Sequence, residues 1–354
     1  MIVIHVGLRK SGSTSIQNFL RVNAEALRAM GVEYPPIGRT KRGTHINLSY
    51  EIRGHRGFDP KYGTLSQLFD FWRDANSKTM ILSSENFEAC DADQAARMKE
   101  LSGAKGDPVR IVMVIRDLLD LMPSGYFQMV RTGLKTYDFD AFFDRRIRMQ
   151  QVAYAATAKC WADAFGWESL QVRILDPRFL VNGDLIDDFL TVSGLDLKQD
   201  AVRALARPGL KNVSPGWRVV EAVRALYSGR HGLPDNHPLG DFALHTREQR
   251  NIVGLRGHEV GERMGWNADR GRYLTRPQAQ QCLDIYRDTV ESLNKYLIEA
   301  LPLPLDLDAR SFAERAFLPD AAHIPSKELR AFYDETARDR AARPILRVSR
   351  DEGA

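Results

Sequence analysis

The sequence begins with a short apolar run and a loop of small residues, IVIHV at 2–6 and GLRKSGST at 7–14. The β-branched run predicts a buried strand. Beyond the loop, apolar residues recur at helical spacing, so a helix is expected there; they are Ile16, Phe19, Leu20, Ala24 and Leu27. The order strand, loop, helix turns backbone N–H groups and a helix N-terminus toward one point. The stretch therefore predicts a binding site for phosphate or sulfate.

The loop departs from the nucleotide-binding motif G-x-x-x-x-G-K-[ST]. Gly7, Gly12 and Thr14 match that motif, but Ser13 occupies the lysine position and the cation is Lys10, inside the loop. In enzymes that use ATP, the motif's lysine reaches the β- and γ-phosphates and its hydroxyl holds magnesium. The loop is therefore poorly suited to ATP chemistry.

The composition fits a globular protein of 354 residues, with 44% hydrophobic and 27% charged residues. No apolar stretch approaches the roughly 20 residues of a membrane span and no charged leader precedes the first strand, so we expect a cytoplasmic protein. The net charge is +4, and the chain has neither zinc-finger spacing nor an aromatic RNA-binding signature, so nucleic acid is not an expected partner. Cys90, Cys160 and Cys282 predict neither a disulfide framework nor a metal site.

Three further strands are predicted at 79–85, 109–116 and 170–175, with helices between them at 64–76, 91–101, 123–131, 138–165 and 184–192. This alternation predicts an α/β fold of three layers around a central parallel sheet. The strand signal fades after residue 200. The C-terminal part is therefore expected to be mostly helical, with helices at 216–228 and 277–301.

Polar side chains follow three of these strands. Lys10 lies in the loop after the first strand, Glu85 ends the second and Arg116 ends the third. Because the carboxyl ends of parallel strands meet at one edge of a sheet, we expect these side chains to converge. A long basic segment at 37–63 carries His45, and both a ligand-contacting role and a solvated surface remain open for it.

On these motifs the chain resembles sulfotransferases that use 3′-phosphoadenosine 5′-phosphosulfate (PAPS), most closely bacterial proteins related to carbohydrate sulfotransferases. The Lys10 loop matches the pattern h-G-x-x-K-[ST]-G-[ST]-[ST] of their 5′-phosphosulfate loop. Arg116-(x)7-Ser124 resembles their 3′-phosphate-binding segment. The resemblance covers about residues 1–215, and a weaker match at 211–214 resembles a loop that closes over the nucleotide.

The resemblance implies a P-loop-type fold, PAPS as donor, adenosine 3′,5′-bisphosphate as product and no metal. It also implies transfer of a sulfuryl group to an acceptor hydroxyl or amine, on a carbohydrate. Lys10 would neutralise charge on the departing phosphate. The donor-binding residues that it implies are Arg9, Lys10, Ser11, Gly12, Ser13 and Thr14 for the phosphosulfate, and Arg116 and Ser124 for the 3′-phosphate.

Two residues are candidates for the base that deprotonates the acceptor. Glu85 lies where carbohydrate sulfotransferases can use a glutamate, and His45 is the best candidate for the histidine that small-molecule sulfotransferases use instead. We favour Glu85, because a strand end can hold a carboxylate rigidly beside the phosphate loop.

The expected organisation is a sulfotransferase domain at 1–300 and a basic extension at 301–354. The domain would contain the phosphosulfate loop at 7–15 and the 3′-phosphate segment at 109–126, and the extension would pack on it or on a partner subunit of a homo-oligomer. Two alternatives are a P-loop kinase that uses ATP and magnesium, and a protein that binds nucleotide without turnover. The replaced loop lysine disfavours the kinase. The presence of both a loop lysine, Lys10, and a strand-end glutamate, Glu85, disfavours the protein without turnover.

Overall fold

The computed structural model of the chain describes residues 1–41, 43–103, 106–149, 154–196, 198–207, 214–234, 236–240, 246–302, 312 and 318–338. The chain divides into two compact units. The first comprises Met1–Leu118, Ala153–Lys211 and Asp284–Leu305, and the second comprises Leu119–Val152, Asn212–Leu283 and Asp306–Ala354.

A five-stranded parallel sheet forms the centre of the first unit. Its strands are β1 (Ile2–Val6), β2 (Val32–Glu33), β3 (Thr79–Ser84), β4 (Val109–Ile115) and β5 (Leu170–Ile174). They lie in the order β2-β3-β1-β4-β5, and every neighbouring pair is parallel. The predicted α/β fold with a central parallel sheet and a mostly helical C-terminal part is confirmed.

The helices of the described part of the chain alternate with these strands and then follow them. In chain order they are α1 (Ser13–Val22), α2 (Ala24–Ala29), α3 (Ile46–Ile52), α4 (Leu65–Asp74), α5 (Ala92–Ser102), α6 (Leu118–Arg131), α7 (Phe139–Arg148), α8 (Tyr154–Phe165), α9 (Leu185–Val192), α10 (Asp200–Arg203), α11 (Trp217–Tyr227), α12 (Arg247–Arg263), α13 (Arg276–Asn294) and α14 (Ser326–Ala337). None of them is long and apolar enough to cross a membrane.

β1 lies in the middle of the sheet and is buried along its whole length. Its last residue, Val6, is in register with Ser84 of β3 on one side and with Met113 of β4 on the other. A run that is apolar on both faces suits such a central strand. The loop that leaves β1 therefore emerges between the ends of β3 and β4.

α1 and α9 pack against the sheet next to this loop. Phe19 and Leu20 of α1 join Phe189 and Leu190 of α9 in one buried cluster with Val3 of β1. Each of these side chains is at most 1% exposed, and burial of such a side chain stabilises the fold by about 1.5–3 kcal/mol. The start of α1 is therefore fixed relative to the strand ends.

Several sequence predictions need correction. α6 begins at Leu118 and runs through Pro123, because Leu118, Leu121 and Met122 are buried and their packing outweighs the backbone hydrogen bond that proline removes. The helical region at 138–165 consists of α7 and α8.

α13 ends at Asn294, before the predicted end of this helix at residue 301. The side chain of Asn294 bonds to the backbone N–H and carbonyl of Leu301, which holds the chain beyond the helix end. The edge strand β2 was not predicted, because only Val32 and Glu33 form it and two residues give no periodic signal.

Candidate active site

The loop between β1 and α1 has the backbone of an anion-binding site. Lys10 has a φ of 64° and Gly12 a φ of 82°, so both residues adopt the left-handed conformation. Such a conformation is costly for a lysine and is a feature of functional sites. Gly12 caps α1 without any side-chain hydrogen bond, and the first turn contains no acidic residue. The N–H groups of Ser15 and Ile16 donate to the carbonyl of Gly12, and the N–H groups of Ser13 and Thr14 before them are placed to bind an anion.

The hydroxyl residues of the loop differ in their surroundings. Ser11 is fully buried, and in the described part of the chain its hydroxyl has no hydrogen-bond partner. Ser13 is also buried, and its hydroxyl donates to the carbonyl of Leu8 at 3.2 Å, which braces the loop. Thr14 is exposed. An unpaired hydroxyl just before a helix start that has no side-chain cap fits a bound phosphate or sulfate oxygen.

Glu85 lies directly beside the start of the loop. The N–H of Gly7 donates to the carbonyl of Ser84 at 3.0 Å. A Cβ added to Gly7 would lie 3.1 Å from the Cα of Glu85 and 2.8 Å from Oγ of Ser13. The backbones approach so closely because β1 and β3 are neighbouring parallel strands, and a side chain at position 7 would force Ser13 or the backbone of Glu85 to shift. The predicted convergence of Glu85 with the loop is present in the structure.

The surroundings of Glu85 favour its protonated form more than water does. Burial raises the pKa of Glu85, and the negative charge of Glu88 raises it further. The charges of Arg9 and Lys10 act in the opposite direction. A carboxylate with a raised pKa is a stronger base than an ordinary glutamate, which suits proton abstraction from an acceptor hydroxyl.

Glu88 was missed by the sequence reasoning. Its Oε1 lies 2.8 Å from Nε of Arg9, and its Oε2 accepts a hydrogen bond from the backbone N–H of Arg9 at 3.1 Å. The side chain of Arg9 is 59% exposed, so Glu88 holds an otherwise mobile cation against the loop. No sequence signal marks this role, because the 3₁₀ turn Glu85–Ala89 that brings Glu88 to the loop is seen only in the structure.

Arg116 reaches the same loop from the end of β4. Its Nη1 donates to the carbonyl oxygen of Lys10 at 3.1 Å. The carbonyl of Arg116 in turn accepts a hydrogen bond from the hydroxyl of Tyr154 at 3.0 Å. The structure thus brings Lys10, Glu85 and Arg116 to one edge of the sheet, as the sequence predicted.

Ser124 lies in α6 and is buried. The helix begins six residues before it, at Leu118, so Ser124 does not stand at a helix N-terminus as the sequence suggested. It belongs to the second compact unit, whereas Arg116 and the loop belong to the first. Its assignment to the 3′-phosphate stays a prediction.

His45 is fully buried at the N-terminal end of α3. Its Nε2 donates to the carbonyl of Pro35 at 3.0 Å, and its Nδ1 accepts the N–H of Ser83 at 3.2 Å. Burial lowers the pKa of His45 to about 3. Both ring nitrogens are engaged with the backbone, so His45 joins the segment before α3 to β3. This geometry leaves no nitrogen available to an acceptor and favours Glu85 as the base.

No group of three or more histidine, cysteine or acidic side chains suited to a metal ion occurs in the described ranges. Several residues considered from sequence lie outside those ranges: Arg42, Lys211, Asn212, Val213 and residues 339–354.

No protein-family model matches the chain, and no curated protein matches its sequence. Among solved structures, the chain is similar to the crystal structure of a sulfotransferase from Alicyclobacillus acidocaldarius. The TM-score is 0.38 at 19% sequence identity, over 59% of this chain and 85% of that chain. A similarity of that extent carries no argument about function.

Proposed function

We propose that the protein is a sulfotransferase that moves a sulfuryl group from PAPS to an acceptor hydroxyl or amine on a carbohydrate. The observation that carries the proposal is the close approach of Gly7 to Glu85. It brings a carboxylate with a raised pKa next to a lysine-containing loop and a helix start that has no side-chain cap. The loop motif, with Lys10 in place of the usual nucleotide-binding lysine, supports PAPS over ATP.

The chemistry assigned to these residues is an in-line displacement at sulfur. The acceptor oxygen forms a bond to sulfur as its proton passes to the carboxylate of Glu85. The bond between sulfur and the bridging oxygen of the 5′-phosphate breaks, and adenosine 3′,5′-bisphosphate leaves with its electron pair. Lys10 and the N–H groups at the start of α1 stabilise the negative charge that develops on that phosphate.

The residues of the loop fit the 5′-phosphosulfate group. The unpaired hydroxyl of Ser11 and the N-terminus of α1, which has no side-chain cap, supply hydrogen-bond donors. Arg9 and Lys10 supply positive charge. Arg116, with Ser124 as a further candidate, is assigned to the 3′-phosphate, and His45 is retained as a structural residue. We keep residues 1–300 as the transferase domain and 301–354 as its extension, in a cytoplasmic protein.

A thermal-shift experiment separates this function from the two alternatives. Adenosine 3′,5′-bisphosphate should raise the melting temperature of the full chain at concentrations where ATP with magnesium has little effect, because a ligand stabilises the fold only when it binds the native state. A larger shift with ATP and magnesium would support the kinase and overturn the proposal.

Transfer itself is tested with radiolabelled PAPS and a panel of sugar, phenol and amine acceptors. Label should pass to at least one acceptor class. Binding of adenosine 3′,5′-bisphosphate without any transfer across the panel would support the protein that binds nucleotide without turnover.

A further inference from the structure

One 3₁₀ turn, Glu85–Ala89, carries both carboxylates of the candidate site, Glu85 and Glu88. Turns of this kind are short and have poorer hydrogen-bond geometry than α-helices, so they depend on contacts with the rest of the fold. At the N-terminal end of the turn, Oγ of Ser84 accepts the N–H of Asn86 at 3.2 Å. The position of the two carboxylates therefore depends on what holds the other end.

Two consecutive residues of α8 hold that other end. The indole Nε1 of Trp161 donates to the carbonyl of Phe87 at 3.3 Å, and the two rings meet edge to face with centroids 6.0 Å apart. The thiol of Cys160 donates to the carbonyl of Cys90, just beyond the turn, at 3.3 Å. The turn and α8 both belong to the first compact unit. Of the two bonds, that of the indole lies within the turn itself.

Trp161 is a fixed point of attachment. Its side chain is fully buried, and its ring stacks on Phe165 of the same helix with centroids 5.9 Å apart. Phe87 is fully buried as well. A buried indole N–H normally finds an acceptor, and the acceptor here is a backbone carbonyl of the turn. The turn is thus bonded to a side chain that packing holds in one place.

The same helix also reaches the other side of the site. The hydroxyl of Tyr154, the first residue of α8, donates to the carbonyl of Arg116 at 3.0 Å. Trp161 follows about two turns later in the same buried stripe of the helix. Arg116 in turn donates to the carbonyl of Lys10 in the phosphate loop. α8 therefore fixes the turn with Glu85 relative to the strand end that braces the loop.

The electrostatic surroundings of Glu85 depend on where the turn lies. Burial is the main cause that raises the pKa of Glu85, and the charge of Glu88 adds to it. Arg9 and Lys10, on the loop that faces the turn, act in the opposite direction. A turn released from Phe87 onward would let water reach Glu85, and access of water to a buried carboxyl lowers its pKa.

We propose that Trp161 is a positioning residue, whose hydrogen bond to the carbonyl of Phe87 keeps Glu85 buried against the phosphate loop. Trp161 acts through the turn and not by contact with donor or acceptor. Its effect on turnover rests on the proposed sulfuryl transfer, whereas its effect on the placement of Glu85 can be measured without any turnover.

The test is the titration of Glu85 in the full chain, followed by NMR of glutamate labelled with ¹³C at the side-chain carboxyl carbon. Glu85→Gln identifies the signal, because that signal disappears. Trp161→Phe keeps an aromatic ring and removes the N–H, and its Glu85 should titrate at lower pH than in the wild type. An unchanged titration in a folded Trp161→Phe variant would overturn the proposal.

Trp72→Phe is the matched control. Trp72 is a buried tryptophan of the same compact unit, and its Nε1 donates to Oδ2 of Asp107 at 2.8 Å, away from the turn. The substitution removes the same N–H and the same volume, so it should leave the titration of Glu85 in place. An equal displacement in both variants would mean a general loosening of the fold and would overturn the role of Trp161.

Hydrogen exchange of the Trp161 indole N–H in the wild-type protein needs no substitution, so it decides the matter even if Trp161→Phe does not fold. The proton should be protected from exchange as a buried, bonded N–H is. Exchange as fast as that of an exposed indole would overturn the proposal.

Transfer rates then separate this inference from the proposed function. In Trp161→Phe, kcat should fall by about two- to ten-fold, the scale of one neutral hydrogen bond, with KM for PAPS unchanged. Absence of transfer in the wild type, with the titration of Glu85 displaced as expected in the variant, would contradict the proposed function and support the placement by Trp161. Normal transfer with an unchanged titration would contradict the role of Trp161 alone.

Discussion

Nη1 of Arg116 donates a hydrogen bond to the carbonyl oxygen of Lys10 at 3.1 Å, across 106 residues of sequence. Lys10 has a left-handed backbone, and such a conformation persists only when its surroundings hold it. The strand-end arginine therefore braces the loop in addition to any contact that it makes with the donor.

Arg116→Ala should reduce two quantities. Discrimination between PAPS and adenosine 5′-phosphosulfate should fall by on the order of ten- to a hundred-fold, as expected for loss of a contact worth about 1.5–3 kcal/mol. Turnover should also fall, because the carbonyl of Lys10 loses its donor. Tyr154→Phe, which removes the hydrogen bond to the carbonyl of Arg116, is the control and should keep the discrimination. Loss of turnover with full discrimination would make Arg116 a purely structural brace.

Lys10→Ala should lower turnover far more than it weakens binding of adenosine 3′,5′-bisphosphate. Charge on the departing phosphate develops chiefly in the transition state, so the lysine acts there most strongly. Single-turnover rates and calorimetry of the same variant measure the two effects. Lys99→Ala, at an exposed site on α5, should change neither. Equal losses in rate and affinity would contradict the assigned role.

Glu85→Gln should lower turnover by roughly 10²–10⁴-fold with nucleotide affinity nearly unchanged, because the amide keeps the shape and loses the basicity. His45→Gln is the comparison. If Glu85→Gln stays active while His45→Gln folds normally and is inactive, the base is the histidine.

Glu88→Gln should move the acidic limb of the pH–rate profile to lower pH. Glu88 raises the pKa of Glu85 through its like charge, so its neutralisation makes Glu85 ionise at lower pH. The rate of transfer measured from pH 4 to 8, in steps of about half a unit, follows the limb. Asp93→Asn, an exposed acid in the first turn of α5, should leave it in place. An unmoved limb in Glu88→Gln would mean that the limb does not report Glu85.

Gly7→Ala should destabilise the protein by about 1–3 kcal/mol and lower its turnover, because the added Cβ would approach Oγ of Ser13 to 2.8 Å and the Cα of Glu85 to 3.1 Å. Chemical denaturation and transfer rates measure the two effects. Gly103→Ala is the control, since a Cβ there meets nothing within 4 Å. A normal rate in a stable Gly7→Ala variant would mean that the exact spacing of loop and glutamate is unimportant.

Acidification should destabilise the fold through His5 and His45. Burial lowers the pKa of each to about 3 from an ordinary value of 6.5, so the unfolded chain binds protons that the folded chain does not. Stability is full above pH 6.5 and falls as the pH drops toward 3, by about 1.4 kcal/mol per pH unit from each histidine. Urea unfolding of His5→Gln at pH 7 and pH 5 should show a smaller loss than wild type. Phe189→Leu should keep the wild-type pH dependence.

The sequence alone determined four of the five strands, most of the described helices and the position of the loop between β1 and α1. β1 and β4 are apolar apart from His5 and Arg110, and β3 has the apolar run Met80–Leu82. The small residues at 7–14 predict a turn into a helix, so local pattern is enough to identify these elements. The alternation of strands and helices predicts that the strands are parallel. Parallel strands end at one edge of the sheet, and Lys10, Glu85 and Arg116 do lie at that edge.

Only the tertiary structure decided which polar groups are paired and which are not. Sequence left His45 as a candidate base, whereas burial against Ser83 and Pro35 occupies both of its nitrogens. Pairing and burial depend on contacts between residues far apart in the chain, such as the hydrogen bond from the backbone N–H of Arg9 to Glu88 across 79 residues. A local sequence pattern cannot predict such contacts.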